Sequence, residues 1–97
     1  MSSLQIRTHA QLDIQEIVDY YDGISSVITD KFLDQLYQSL DFLAEHPKNF
    51  QVKYRNTRVY YLKDFPFGIH YLERNDLVVV LAVLHTSRNP KVWKTRS

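Results

Sequence analysis

Eight apolar residues in a row, Leu77 to Leu84, stop abruptly at His85. Successive side chains of a strand point to opposite faces, so a strand of this kind is apolar on both. The run therefore predicts a strand over Leu77–His85, central in its sheet and covered on both sides. In regular alternation Leu77, Val79, Leu81, Val83 and His85 share one face. His85 then stands where strand meets loop. The polar segment that follows carries Arg88, Lys91, Lys94 and Arg96 and no acid.

The preceding residues supply the cover and the neighbours. Leu4, Ile6 and Thr8 alternate with Gln5 and Arg7, a short strand. Thr8 and Gln11 have capping-box spacing, which predicts a helix start. Ala10, Ile14, Ile17, Val18 and Tyr21 recur at helical spacing, and Gly23 suits a left-handed helix end. Ser25 or Ser26 caps a second helix with the stripe Ile28, Phe32, Leu36, Leu40, Leu43, ended by Pro47. The two form an antiparallel hairpin. After Pro47 the period changes. Val52–Tyr54 and Arg58–Leu62 read as strand, Phe67–Glu73 as another, and Arg74-Asn75-Asp76 as a tight turn. Asn89-Pro90 breaks the last strand, and a short helical turn holds Val92 and Trp93. The expected fold is α+β, in the order β-α-α-β-β-β. A helical hairpin packs on one face of a small, mostly antiparallel sheet, followed by the short C-terminal turn. At 97 residues this is a single domain, 1–97.

Charge divides the chain. Residues 1–46 carry two basic and eight acidic groups, a net of −6, and residues 47–97 carry ten basic and three acidic, a net of +7. The asymmetry points to an acidic solvated half and a basic half able to meet a polyanion. The chain has no Cys, which excludes a disulfide framework, a thiolate nucleophile and a Cys-based zinc site. His9, His46 and His70 lack metal-ligand spacing, so neither a metal nor another cofactor is expected. No apolar run approaches the ~20 residues of a membrane span, so no membrane partner is expected. Nor does the N-terminus carry an apolar signal-peptide core. The expected location is the cytoplasm.

The candidate functional residues lie in the basic half. His85 can move a proton near neutral pH. Arg88, three residues on, can hold a phosphate through paired hydrogen bonds. Lys53, Arg55, Arg58 and Lys63 lie on the earlier strand region, among Tyr54, Tyr60 and Tyr71. Basic groups interleaved with rings are what single-stranded nucleic acid binding uses. Lys91, Trp93, Lys94 and Arg96 are the types that dominate protein interfaces or bind phosphates. The plainer reading makes His85 a structural strand end, Trp93 an anchor holding the tail to the core, and the tyrosines packing.

Several stretches together resemble a known superfamily. They are "AQLDIQEIVDYYD" (Ala10–Asp22), "FLDQLYQSLDFLAEHPKNF" (Phe32–Phe50), "FPFGIHY" (Phe65–Tyr71) and "VVVLAVLHTSRNPKVW" (Val78–Trp93). In this order they resemble the RelE/ParE superfamily of toxins from bacterial type II toxin–antitoxin modules. The strand-His-x-x-Arg-x-Pro ending is most similar to the ParE-like, plasmid-stabilisation branch. The resemblance implies a growth-arresting toxin held inactive by a cognate antitoxin. ParE-like members poison DNA gyrase, and RelE-like members cut mRNA on the ribosome. The cutters usually place an Arg in the penultimate strand, and Gly68 stands there in this chain. For RNA cleavage, His85 would be acid or base while Arg58 and Arg88 hold the phosphate. For a binding toxin, Lys53, Arg55, Arg88, Lys91, Trp93, Lys94 and Arg96 would meet the target. A degenerate toxin that only binds its antitoxin is the third reading.

Overall fold

The computed structural model describes residues 3–87. The elements follow the expected order: β1 (Ser3–Ile6), α1 (Thr8–Asp22), α2 (Ser26–Glu45), β2 (Val52–Tyr54), β3 (Thr57–Tyr61), β4 (Phe67–Arg74) and β5 (Leu77–His85). The strands make one sheet, β1-β5-β4-β3-β2. β1 runs parallel to β5, and the other three pairings are antiparallel. β5 is thus second from the edge, and β4 takes the middle. The first strand joins the sheet beyond the last one, so β5 has β1 on one side and β4 on the other. The short C-terminal turn expected around Val92 and Trp93 lies outside the described residues.

Both helices lie on one face of the sheet. α2 buries Phe32, Leu36, Leu40 and Leu43, a stripe at helical period. Phe32, Leu36 and Leu43 have no exposed surface, and each such side chain contributes about 1.5–3 kcal/mol. α1 adds Ala10 and Ile17, and the sheet adds Phe67, Ile69, Tyr71, Val78, Val80 and Val83. Ring contacts among Tyr21, Phe32, Phe65 and Phe67 close one end of this core.

The helix ends differ in part from expectation. The Ser25 hydroxyl accepts from the Val27 amide at 3.2 Å and caps α2. α2 stops at Glu45, two residues before Pro47. At α1, however, Arg7 is the cap residue and makes no side-chain cap bond. Thr8 is already helical, and the Gln11 side chain reaches back to the Ile6 carbonyl at 2.9 Å. Gly23 is right-handed, with φ −68°. The amides of Ile24 and Ser25 both donate to the Tyr21 carbonyl, so the chain turns into α2 without a left-handed residue.

Two tight turns join the hairpins. Asn75 and Asp76 have φ of 51° and 63°, and Arg55 and Asn56 have 41° and 63°. Two consecutive left-handed residues in a two-residue loop match the right-handed twist of the flanking strands.

β5 carries one extra residue. Tyr71 pairs with Val80 and His70 with Ala82, so Leu81 is a bulge. Side chains beyond it swap faces. Val83 joins Val78 and Val80 in the helix-side core, and His85 points the same way, against the Phe67 ring. The single face expected for Leu77, Val79, Leu81, Val83 and His85 does not exist. Among the described residues no helix is long and apolar enough to cross a membrane.

Candidate functional site

The end of β5 is built by α1. Pairing of β1 with β5 stops at Ile6 opposite Val80, and the Arg7 amide donates to the Val80 carbonyl. Past that point, among the described residues, no strand flanks β5 on its β1 side. Asp13, buried on the inner face of α1, takes over: its Oδ2 accepts from the Val83 amide at 3.1 Å. A buried N–H left without a partner is costly, so this carboxylate holds the bulged strand end against the helix.

His85 is exposed and closes the strand. Its Nδ1 accepts from the Ser87 amide at 3.1 Å and lies 2.7 Å from the Ser87 hydroxyl. A backbone N–H can only donate, so Nδ1 is unprotonated and the neutral ring carries its proton on Nε2. The ring meets Phe67 edge-on at 5.5 Å. Glu16, Tyr20, Ile24, Pro66, Phe67 and His85 line a cleft between α1 and the sheet. Tyr20 and Ile24 on its rim are 66% and 58% exposed, large apolar surfaces that single out this cleft.

Arg58 lies elsewhere. It pairs with Tyr71, whereas His85 pairs with Phe67, so the two are about 13 Å apart along the strands and about 10 Å across them. Both face the helices, with the core between them. The Arg58 guanidinium donates to the Phe50 carbonyl. Tyr71 beside it donates its hydroxyl to the Pro47 carbonyl at 2.9 Å. Burial pushes the Tyr71 phenol up to about 12, against a smaller lowering by Arg58, so the hydroxyl stays a donor at neutral pH. These bonds tie the loop after α2 to the sheet. Arg58 and His85 do not converge on one phosphate-sized space.

Lys53 and Arg55 are exposed at the β2–β3 hairpin. Arg55, Arg58 and Arg74 surround Glu73 in a shallow depression there. Lys48 reaches the same Glu73 at 4.0 Å, an exposed pair worth little. Arg74 escaped the sequence reading because it sits in a turn signal rather than among rings. Tyr60 packs on Phe50 at 4.9 Å, and Tyr71 is fully buried. Neither offers a face for stacking. Tyr54 hydrogen-bonds the buried His70 at 3.2 Å. Arg88, Lys91, Trp93, Lys94 and Arg96 lie outside the described residues. Among the described residues no group of three or more His, Asp or Glu could hold a metal ion.

Gly68 occupies the position where the mRNA-cutting relatives carry Arg. A Cβ on it would stand 2.9 Å from Val59 Cγ1 and 3.3 Å from the Tyr61 ring. The neighbouring strand leaves no room for a side chain.

Comparisons with known proteins agree with this architecture. No curated protein is similar enough in sequence to match the chain. Two solved structures share the fold. One, described as the chromosomal ParDE toxin–antitoxin system from P. aeruginosa, superposes with a TM-score of 0.74 at 18% identity, covering 88% of this chain and 96% of that one. The other, a copper-bound mutant toxin from Helicobacter pylori, gives 0.52 at 16% identity, covering 90% and 97%. The family model for the ParE toxin of the type II toxin–antitoxin system parDE matches residues 4–90, nearly the whole chain, and the protein belongs to that family of toxins.

Proposed function

We propose that this toxin arrests bacterial growth by binding and inhibiting DNA gyrase, and that a cognate antitoxin keeps it inactive. Membership of the ParE family is the observation that carries the reading. The site geometry supports a binding mode over RNA cleavage. Arg58 is committed to the Phe50 carbonyl, far from His85. The Nδ1 of His85 is occupied by Ser87. Gly68 has no room for the Arg that cutters use. The target-facing groups are the cations of the basic tail, Arg88, Lys91, Lys94 and Arg96, with Lys53 and Arg55 as a second basic edge.

The antitoxin reading has its own support. The helices carry eight acids and one Lys, with Leu12, Tyr20, Ile24 and Val27 exposed on or between them. An amphipathic antitoxin segment would bury these apolar groups and pair its cations with the acids. The similar ParDE structure is described as a toxin–antitoxin system, which agrees with such a partner.

Inducible expression in a bacterium tests the reading, with plasmid supercoiling and mRNA ends followed in one culture. Gyrase-dependent DNA breaks or lost supercoiling with intact mRNA are expected. New 5′ ends within translated codons would establish the ribonuclease reading instead. Normal growth with stable protein would leave a chain that only binds its antitoxin.

A further inference from the structure

One face of the sheet is covered by something that the described elements do not supply. Val59, His70, Val79, Ala82 and Leu84 point away from the helices, since their neighbours in the register fill the helix-side core. Within the single chain they are only 4%, 1%, 5%, 1% and 2% exposed. The four apolar ones are absent from the helix-side core, and both helices pack on the opposite face. An open sheet face would leave such side chains well exposed, as at Tyr61, which is 49% exposed at the corner of the same face.

The chain outside residues 3–87 consists of Met1, Ser2 and the ten residues 88–97. Two residues are too few to cover this face. Ten extended residues span about 33 Å, and the four gaps between five strands span about 19 Å. The tail also departs from the right place. The Thr86 amide donates to the Pro66 carbonyl at 2.9 Å, which sets the end of β5 beside the start of β4. Its sequence is amphipathic, with Pro90, Val92 and Trp93 among Arg88, Lys91, Lys94 and Arg96.

We infer that residues 88–97 fold back across the outer face of the sheet, seating Trp93 on the patch formed by Val59, Val79, Ala82 and Leu84 and turning the cations to solvent. The apolar run of β5 is then covered by helices on one side and by the chain's own tail on the other. The same docking displays the basic groups proposed to meet gyrase. It does not depend on that reading, because it follows from burial alone.

Trp93 is the only tryptophan, so it reports on the tail without a label. Its fluorescence and the nuclear Overhauser effects of its indole ring are measured in the full-length chain. The expected result is blue-shifted emission, iodide quenching several-fold weaker than in urea, and Overhauser effects to methyl groups of Val59, Val79 or Leu84. Quenching as strong as in urea would overturn the inference. So would Overhauser effects confined to α1, or protection of the indole that disappears on dilution, which would make a second copy the cover. Gyrase inhibition is assayed separately, so either idea can fail while the other stands.

Discussion

Asp13 and Val83 are seventy residues apart in sequence and joined by a buried hydrogen bond of 3.1 Å. The carboxylate stands where a strand would otherwise continue, and it fixes the bulged end of β5 to α1. Asp13→Ala leaves the Val83 amide without this acceptor and is expected to lower stability by about 1–3 kcal/mol. Asp13→Asn keeps an acceptor oxygen and should lose markedly less. Urea unfolding of the three proteins checks the order.

Tyr71 makes stability depend on alkaline pH. Its folded pKa, about 12, is raised above the ordinary 10.0 by burial. The native state therefore favours the neutral phenol. That contribution is fully present below pH 10 and is lost as pH rises through 12. Tyr71→Phe removes the bond to Pro47 at a cost of about 1 kcal/mol near neutrality. The gap between wild type and Tyr71→Phe should then narrow between pH 10 and 12. A gap that stays constant over that range would count against the assignment.

The two glycines separate close packing from backbone conformation. At Gly68 a methyl group meets Val59 at 2.9 Å, so Gly68→Ala should destabilise by about 1–3 kcal/mol. Gly23 is right-handed, and a Cβ there meets only ordinary contacts, 3.4 Å to the Tyr20 carbonyl oxygen. Gly23→Ala should be neutral or stabilising by about 0.4–1 kcal/mol. Thermal unfolding of both variants distinguishes them.

His85→Ala tests whether the histidine does chemistry. Its Nδ1 is engaged by Ser87 and it lies far from Arg58. Growth arrest on induction should persist within a few-fold of wild type. Abolished arrest by a folded variant would restore a proton-transfer role.

The elements were legible because their periods were clean. Phe32, Leu36, Leu40 and Leu43 can share a helix face only, and the change after Pro47 marks where strands begin. The Leu81 bulge was not legible for a physical reason. A register shift is visible when it moves polar residues inward, and a run that is apolar on both faces carries no such mark. The facing of His85 was therefore misjudged. Asp13 left a readable trace, an acid on the buried stripe between Ala10 and Ile17, which is what a buried acceptor looks like in sequence. The separation of Arg58 from His85 depends on pairing register across three strands, and no local pattern encodes it. Gly23 was misleading because glycine permits a left-handed helix end without requiring one.

The most direct test of the central claim is a supercoiling assay with purified gyrase, relaxed plasmid, ATP and the purified toxin, with and without its antitoxin. The account predicts loss of supercoiling or trapped cleaved plasmid that rises with toxin concentration and is reversed by the antitoxin. It also predicts no such effect from a folded variant with Arg88, Lys91, Lys94 and Arg96 all replaced by Gln. Unchanged gyrase activity at saturating toxin, in a preparation that arrests growth in cells, would contradict it.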